Sequence, residues 1–175
     1  MAVSDIRGNQ TFHGTITFAG DVVLPDGVVD DAAIHASAAI AATKLEHQHV
    51  LSRQLADDTT AIAAGDELLY IVRGATGEVV SIEAAIVTAA TGADRTVTVD
   101  LQKSTAGGAF STVLTTTVNI TNATTVLVPV AGVVNASTGA LVDGDILKLV
   151  WTVAGSAGNQ AKGLVCTINL REDAA

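Results

Sequence analysis

Residues 146–153 read Ile146-Leu147-Lys148-Leu149-Val150-Trp151-Thr152-Val153, and residues 164–170 read Leu164-Val165-Cys166-Thr167-Ile168-Asn169-Leu170. Leu147, Leu149, Trp151 and Val153 recur with a period of two, as do Leu164, Cys166, Ile168 and Leu170, and only an extended strand turns that period into one apolar face. Upstream, Val97, Val99 and Leu101 alternate with Thr96, Thr98 and Asp100 in the same way. Each such strand faces a core on one side and presents Thr-rich, solvated chemistry on the other.

Working outward from these three stretches, turn clusters of Gly, Asn, Asp and Ser separate further runs at 68–73, 79–88, 110–120 and 124–130. Seven or eight strands of this kind predict an antiparallel β-sandwich over residues 59–175. Pro129 belongs at an edge or a strand end, because it removes a ladder donor. The composition agrees: 30 Ala, 23 Val and 22 Thr make up much of the 175 residues, while aromatic residues are only 3%. Trp151 is expected in the core from its place in the alternating run, and Tyr70 is left open.

Composition changes near residue 50. Residues 1–50 hold all four histidines and carry 2 basic against 6 acidic residues, with turns breaking them into pieces too short to enclose a core. They are read as an extended N-terminal arm, with residues 51–58 as a linker. In Thr11-Phe12-His13-Gly14-Thr15-Ile16-Thr17-Phe18, the side chains of Phe12, Ile16 and Phe18 share one face that has to be buried against another molecule. From Asp30 to Leu45, Ile34, Ala38, Ala41 and Leu45 fall at roughly helical spacing behind acidic residues, which fits either one short helix or a stacked, Ala-rich arm segment.

The function classes narrow by charge and by motif. A net charge of −9 repels phosphate backbones, so nucleic acid is not an expected partner. No apolar run is free of Thr, Asn, Gly and Pro for the length of a membrane helix; even Ala106 to Val142 is interrupted throughout, so no membrane partner is expected. No signal sequence of the secretory kind opens the chain. Cys166 is the single cysteine and is read as a buried strand thiol.

His47 and His49 alternate, so both point to one face and form a possible metal pair, with solvated or hydrogen-bonded histidines as the alternative. The acidic pairs Asp30-Asp31 and Asp57-Asp58, and Asp143-Gly144-Asp145, lack the spacing of a calcium loop; the last suits a tight turn before a strand. The Gly-rich pieces 105–109 and 155–160 have no Lys-Ser/Thr and are read as strand connections. No Gly-x-Ser-x-Gly elbow occurs, and every histidine lies in the arm, so an enzyme is not expected and neither is a cofactor.

Two stretches carry a resemblance. Val28-Val29-Asp30-Asp31-Ala32-Ala33-Ile34-His35-Ala36-Ser37-Ala38-Ala39-Ile40-Ala41-Ala42-Thr43-Lys44-Leu45, followed by His47-Gln48-His49, resembles a segment near the N-termini of phage fibre and head-decoration proteins. Residues 69–80, 96–103 and 142–149 are similar to jelly-roll modules of phage virion proteins. The resemblance implies a virion component on the capsid surface, made in the host cytoplasm, with an N-terminal anchor and a projecting jelly roll. It also implies a homotrimer that binds the major capsid protein or another virion protein. Phe12, Ile16, Phe18, Ile34, Ile40 and Leu45 are the candidate capsid or trimer contacts. A tail-fibre module recognising a host glycan or surface protein is the rival reading.

Overall fold

A computed structural model of the chain describes residues 47–73, 76–92, 94–155 and 159–173. The chain divides after Ala39, and every described residue belongs to the second unit, Ile40–Ala175. Phe12, Ile16, Phe18, Ile34, Ile40, Leu45 and the short helix or stacked segment lie outside the described residues.

Twelve strands follow in order: β1 (His47–Gln54), β2 (Gly65–Ile71), β3 (Thr76–Ala85), β4 (Thr96–Ser104), β5 (Ser111–Thr112), β6 (Leu114–Thr116), β7 (Val118–Thr121), β8 (Val130–Ala131), β9 (Val133–Val134), β10 (Ala140–Leu141), β11 (Ile146–Ala154) and β12 (Val165–Asp173). Among the described residues there is no helix. One sheet runs β1-β12-β3-β10, with β8 also on β3; the other runs β2-β11-β4-β5, with β7 also on β4. Every pairing is antiparallel.

Counting β5 to β7 as one interrupted strand and β8 to β10 as another leaves eight strands. Their orders are then 1-8-3-6 and 2-7-4-5, the double-sheet arrangement of a jelly roll. The expected β-sandwich is what the chain forms. Its two interrupted strands share a purpose, since β6 and β9 leave their own sheets and pair with each other, so a backbone ladder bridges the sheets on that side.

The core is aliphatic. Val97, Val99, Leu101, Leu147 and Leu149 from one sheet meet Val79, Ile82, Cys166, Ile168 and Leu170 from the other, all nearly fully buried. Each large aliphatic side chain removed from water contributes about 1.5–3 kcal/mol. Two bulges adjust the alternation. In β3 the register against β12 shifts between Ser81 and Val79, which turns Val80 outward and lets Val79 and Ile82, three apart, both face the core. In β2 the register against β11 shifts at Leu69, which is buried while Leu68 and Ile71 stay exposed.

Four expectations need correction. Residues 51–54 are not linker: β1 pairs with β12 over eight residues, so the boundary drawn at 50 cuts a strand in two. Residues 124–128 are turn and bend, and strand resumes only at Val130, directly after Pro129. The run 110–120 breaks into three where Val113 and Leu114 are both buried and the Thr112 hydroxyl accepts the Leu114 N–H at 3.1 Å. Trp151 lies on the inward phase but near the end of the sandwich, half-buried, with its indole N–H donating to the Ala63 carbonyl at 2.8 Å. Its ring covers Gly65, where an added Cβ would come within 2.6 Å of it.

Candidate functional site

On the side of the sandwich opposite β6 and β9, no ladder joins the two sheets among the described residues. There β1 and β2 are both edge strands, one in each sheet. Side chains join them. Tyr70 on β2 donates its hydroxyl to Glu172 Oε1 on β12 at 2.9 Å, and His49 Nε2 on β1 stands 3.2 Å from the other oxygen, Glu172 Oε2. The rings of His49 and Tyr70 are 5.8 Å apart and tilted by 41°. Closer to the other end of β1, Arg53 Nε donates to Glu67 Oε1 at 3.2 Å, again from sheet to sheet. Glu172 is 8% exposed, so its carboxylate depends on these partners for solvation.

Burial, the hydrogen bond to Glu172 and the charge of Glu172 together push the Tyr70 phenol up to about 12. Tyr70 therefore stays a donor throughout the neutral range. Of the histidine pair read as a possible metal site, His49 is drawn into this lock, and the side chain of His47 lies outside what is described. Among the described residues, no three His, Cys, Asp or Glu side chains gather as a metal cage.

The acidic loops serve the backbone. Asp57 Oδ1 accepts from the Thr59 N–H at 2.8 Å, the Thr59 hydroxyl at 2.6 Å and the Thr60 N–H at 2.7 Å, and these bonds hold its carboxyl down at about 2. Asp143-Gly144 forms the turn expected of it, with Gly144 at φ +81° and the Asp145 N–H donating to the Val142 carbonyl at 3.1 Å. Asp145 itself is fully buried; its Oδ2 accepts the Val142 N–H at 3.0 Å and lies 3.5 Å from Lys103 Nζ. The 105–109 piece is a strand connection as read, a tight turn with Ala106 at φ +50° and Gly107 at φ +75°. Cys166 is buried as read, and burial, reinforced by the charge of Glu83, pushes its thiol up to about 12.

A second surface had no signal of its own in the sequence. At the 124–130 loop, Leu127 is 71% exposed, with Val126 and Val128 exposed beside it. Leu127 sits at φ +59°, a conformation that bulky residues avoid, and its N–H donates to the Ile86 carbonyl at 2.8 Å. Val87, just past the end of β3, and Val165, at the start of β12, are also exposed. Next to this loop a hollow of about 130 Å³ is lined by Ala85, Pro129, Val165, Thr167 and Glu83.

Across known proteins, no family model matches the chain, and neither a curated protein nor a solved structure does.

Proposed function

We propose that this protein is a structural component of a phage particle, a capsid decoration or head-fibre protein. In this reading it binds the major capsid protein, or another virion protein, through its N-terminal arm and stands on the capsid surface as a homotrimer of jelly rolls. The host cytoplasm is where it resides during assembly. One observation carries the reading: an eight-strand jelly roll, an architecture that viral capsid proteins share with lectins and cupins, follows an Ala-rich segment that resembles phage anchor segments. Fold alone does not assign function, so the weight rests on the pairing of the two.

The chemistry of the outer faces supports it. Thr115, Thr116 and Asn119 are exposed, and the whole chain carries a net charge of −9. Such a coat keeps particles apart by like-charge repulsion and hydration. The mechanism is burial at one end and repulsion at the other.

The test is location and dependence. Labelled protein on intact particles is expected over the head, and a variant starting at residue 47, which keeps all of β1, is expected to fold and to lose attachment. Particles without the protein are expected to package genome but to clump or to survive heating less well. Confinement of the label to the tail tip, with unchanged particle survival and failed host adsorption, would overturn the reading in favour of a receptor-binding module.

A further inference from the structure

We infer that copies of this chain meet through the 124–130 loop, with Leu127 of one copy seated in the neighbouring copy's hollow of Ala85, Pro129 and Val165. The inference rests on the homotrimer in the reading above and assigns the surface that builds it.

Three independent observations converge on this surface. The first is charge. Each copy carries −9, so two copies repel wherever carboxylates face each other, yet residues 104–142 contain no Asp, Glu, Lys, Arg or His. That neutral stretch spans β5 to β10, and Leu127 lies within it. On the knob side a second acidic copy meets a neutral surface, and on the hollow side the one lining carboxylate is Glu83.

The second observation is exposure combined with order. Val126, Leu127 and Val128 are 39%, 71% and 49% exposed, and Val87 and Val165 add to the same apolar area. The loop is pinned, because the Leu127 N–H bonds the end of β3 through Ile86. A fixed apolar side chain loses little freedom on docking. Leu127 also keeps φ +59°, where Gly or Asn would be at ease, so this position retains a large apolar side chain against its backbone preference.

The third is shape. A protruding Leu and a hollow of about 130 Å³ lie side by side on one face of the subunit. Knob and hole on the same copy let each Leu127 enter a neighbour's hollow, reciprocally in a pair or in turn around a closed ring. Thr167 and Glu83 line the polar rim of the hollow and stay hydrated at the margin of the contact.

The experiment compares the full-length protein with Leu127→Gly and Leu127→Asp by sedimentation over a range of concentrations. Leu127→Gly removes the knob while suiting the backbone, so its subunit folds, and circular dichroism checks this for both variants. The expected result is an oligomer for the parent protein and a dissociation constant raised about tenfold or more in both variants, as for loss of a central anchor. A parent oligomer that neither Leu127 variant weakens would overturn this surface and leave the homotrimer standing. A parent protein that stays monomeric overturns both. Folded variants that remain oligomeric but no longer attach to particles would show that the loop serves the capsid partner instead, which also overturns the inference.

Discussion

Replacing Tyr70 by Phe tests whether side chains close the open side of the sandwich. The substitution keeps the ring against His49 and removes only the hydroxyl that Glu172 accepts at 2.9 Å. A hydrogen bond to a charged group contributes about 1.5–3 kcal/mol, and because Tyr70 is only half-buried, water replaces part of it; the lower end, about 1.5 kcal/mol, is expected. His49→Ala should cost less, about 0.5 kcal/mol, since the His49 side chain is 36% exposed and lies at 3.2 Å. Glu172→Gln removes the charge that both partners share, so its combination with Tyr70→Phe should be non-additive by about 1 kcal/mol. Urea unfolding of the four proteins in this cycle measures that coupling. The alkaline limb gives a second readout. The folded-state phenol lies at about 12 against an ordinary value of 10.0, so the stability it contributes is complete below pH 10 and disappears as pH climbs through 12. Tyr70→Phe should flatten that loss. Strictly additive costs, within about 0.3 kcal/mol, would refute the idea that Tyr70 and Glu172 act as one bridge between the sheets.

Three further outcomes follow from single sites. Cys166, 1% exposed and with its thiol raised to about 12, should not react with a disulfide reagent at pH 8 until denaturant is added; rapid labelling of the folded protein would contradict its burial. Gly77→Ala places a Cβ 2.1 Å from the Arg171 carbonyl oxygen, a backbone atom that cannot swing aside, so β3 and β12 must part at a cost of about 3 kcal/mol, read from the shift in the unfolding midpoint. Asp57 should titrate at about 2 by NMR, and Thr59→Ala, which deletes its strongest donor, should move it back toward 3.8; the turn's stabilisation is present above 3.8 and lost as pH falls through 2.

Where the inward positions are aliphatic, the sequence and the structure agree. β4 as far as Gln102, β11 and β12 keep their alternation, so Val97, Leu149 and Ile168 announce their own burial. β1 does not, and its inward side shows why. His49 and Arg53 occupy positions where an apolar side chain would normally advertise a strand, and they are tolerated because Glu172 and Glu67 wait across the gap. The partner that makes the residue legible lies 123 positions away in the chain for His49. Local pattern has no access to it. For the same reason the part of Tyr70 in the lock is not legible locally, whereas for His49 the expectation of a solvated or hydrogen-bonded side chain holds in its second form.

The opposite error occurs at 124–130. Val126, Leu127, Val128 and Val130 have the composition of a strand, yet the first three lie in an exposed loop. Apolar composition reports that a side chain is to leave water; it does not say which molecule removes it. In β11 and β12 the opposite sheet does so. At Leu127 none of the described residues does, even though the N–H of the same residue is tied to Ile86 and its backbone is held at a φ that favours Gly. A surface that is apolar, ordered and conformationally costly at once is the one we propose a second copy covers, and the absence of charge from 104 to 142 removes repulsion on the Leu127 side of that contact.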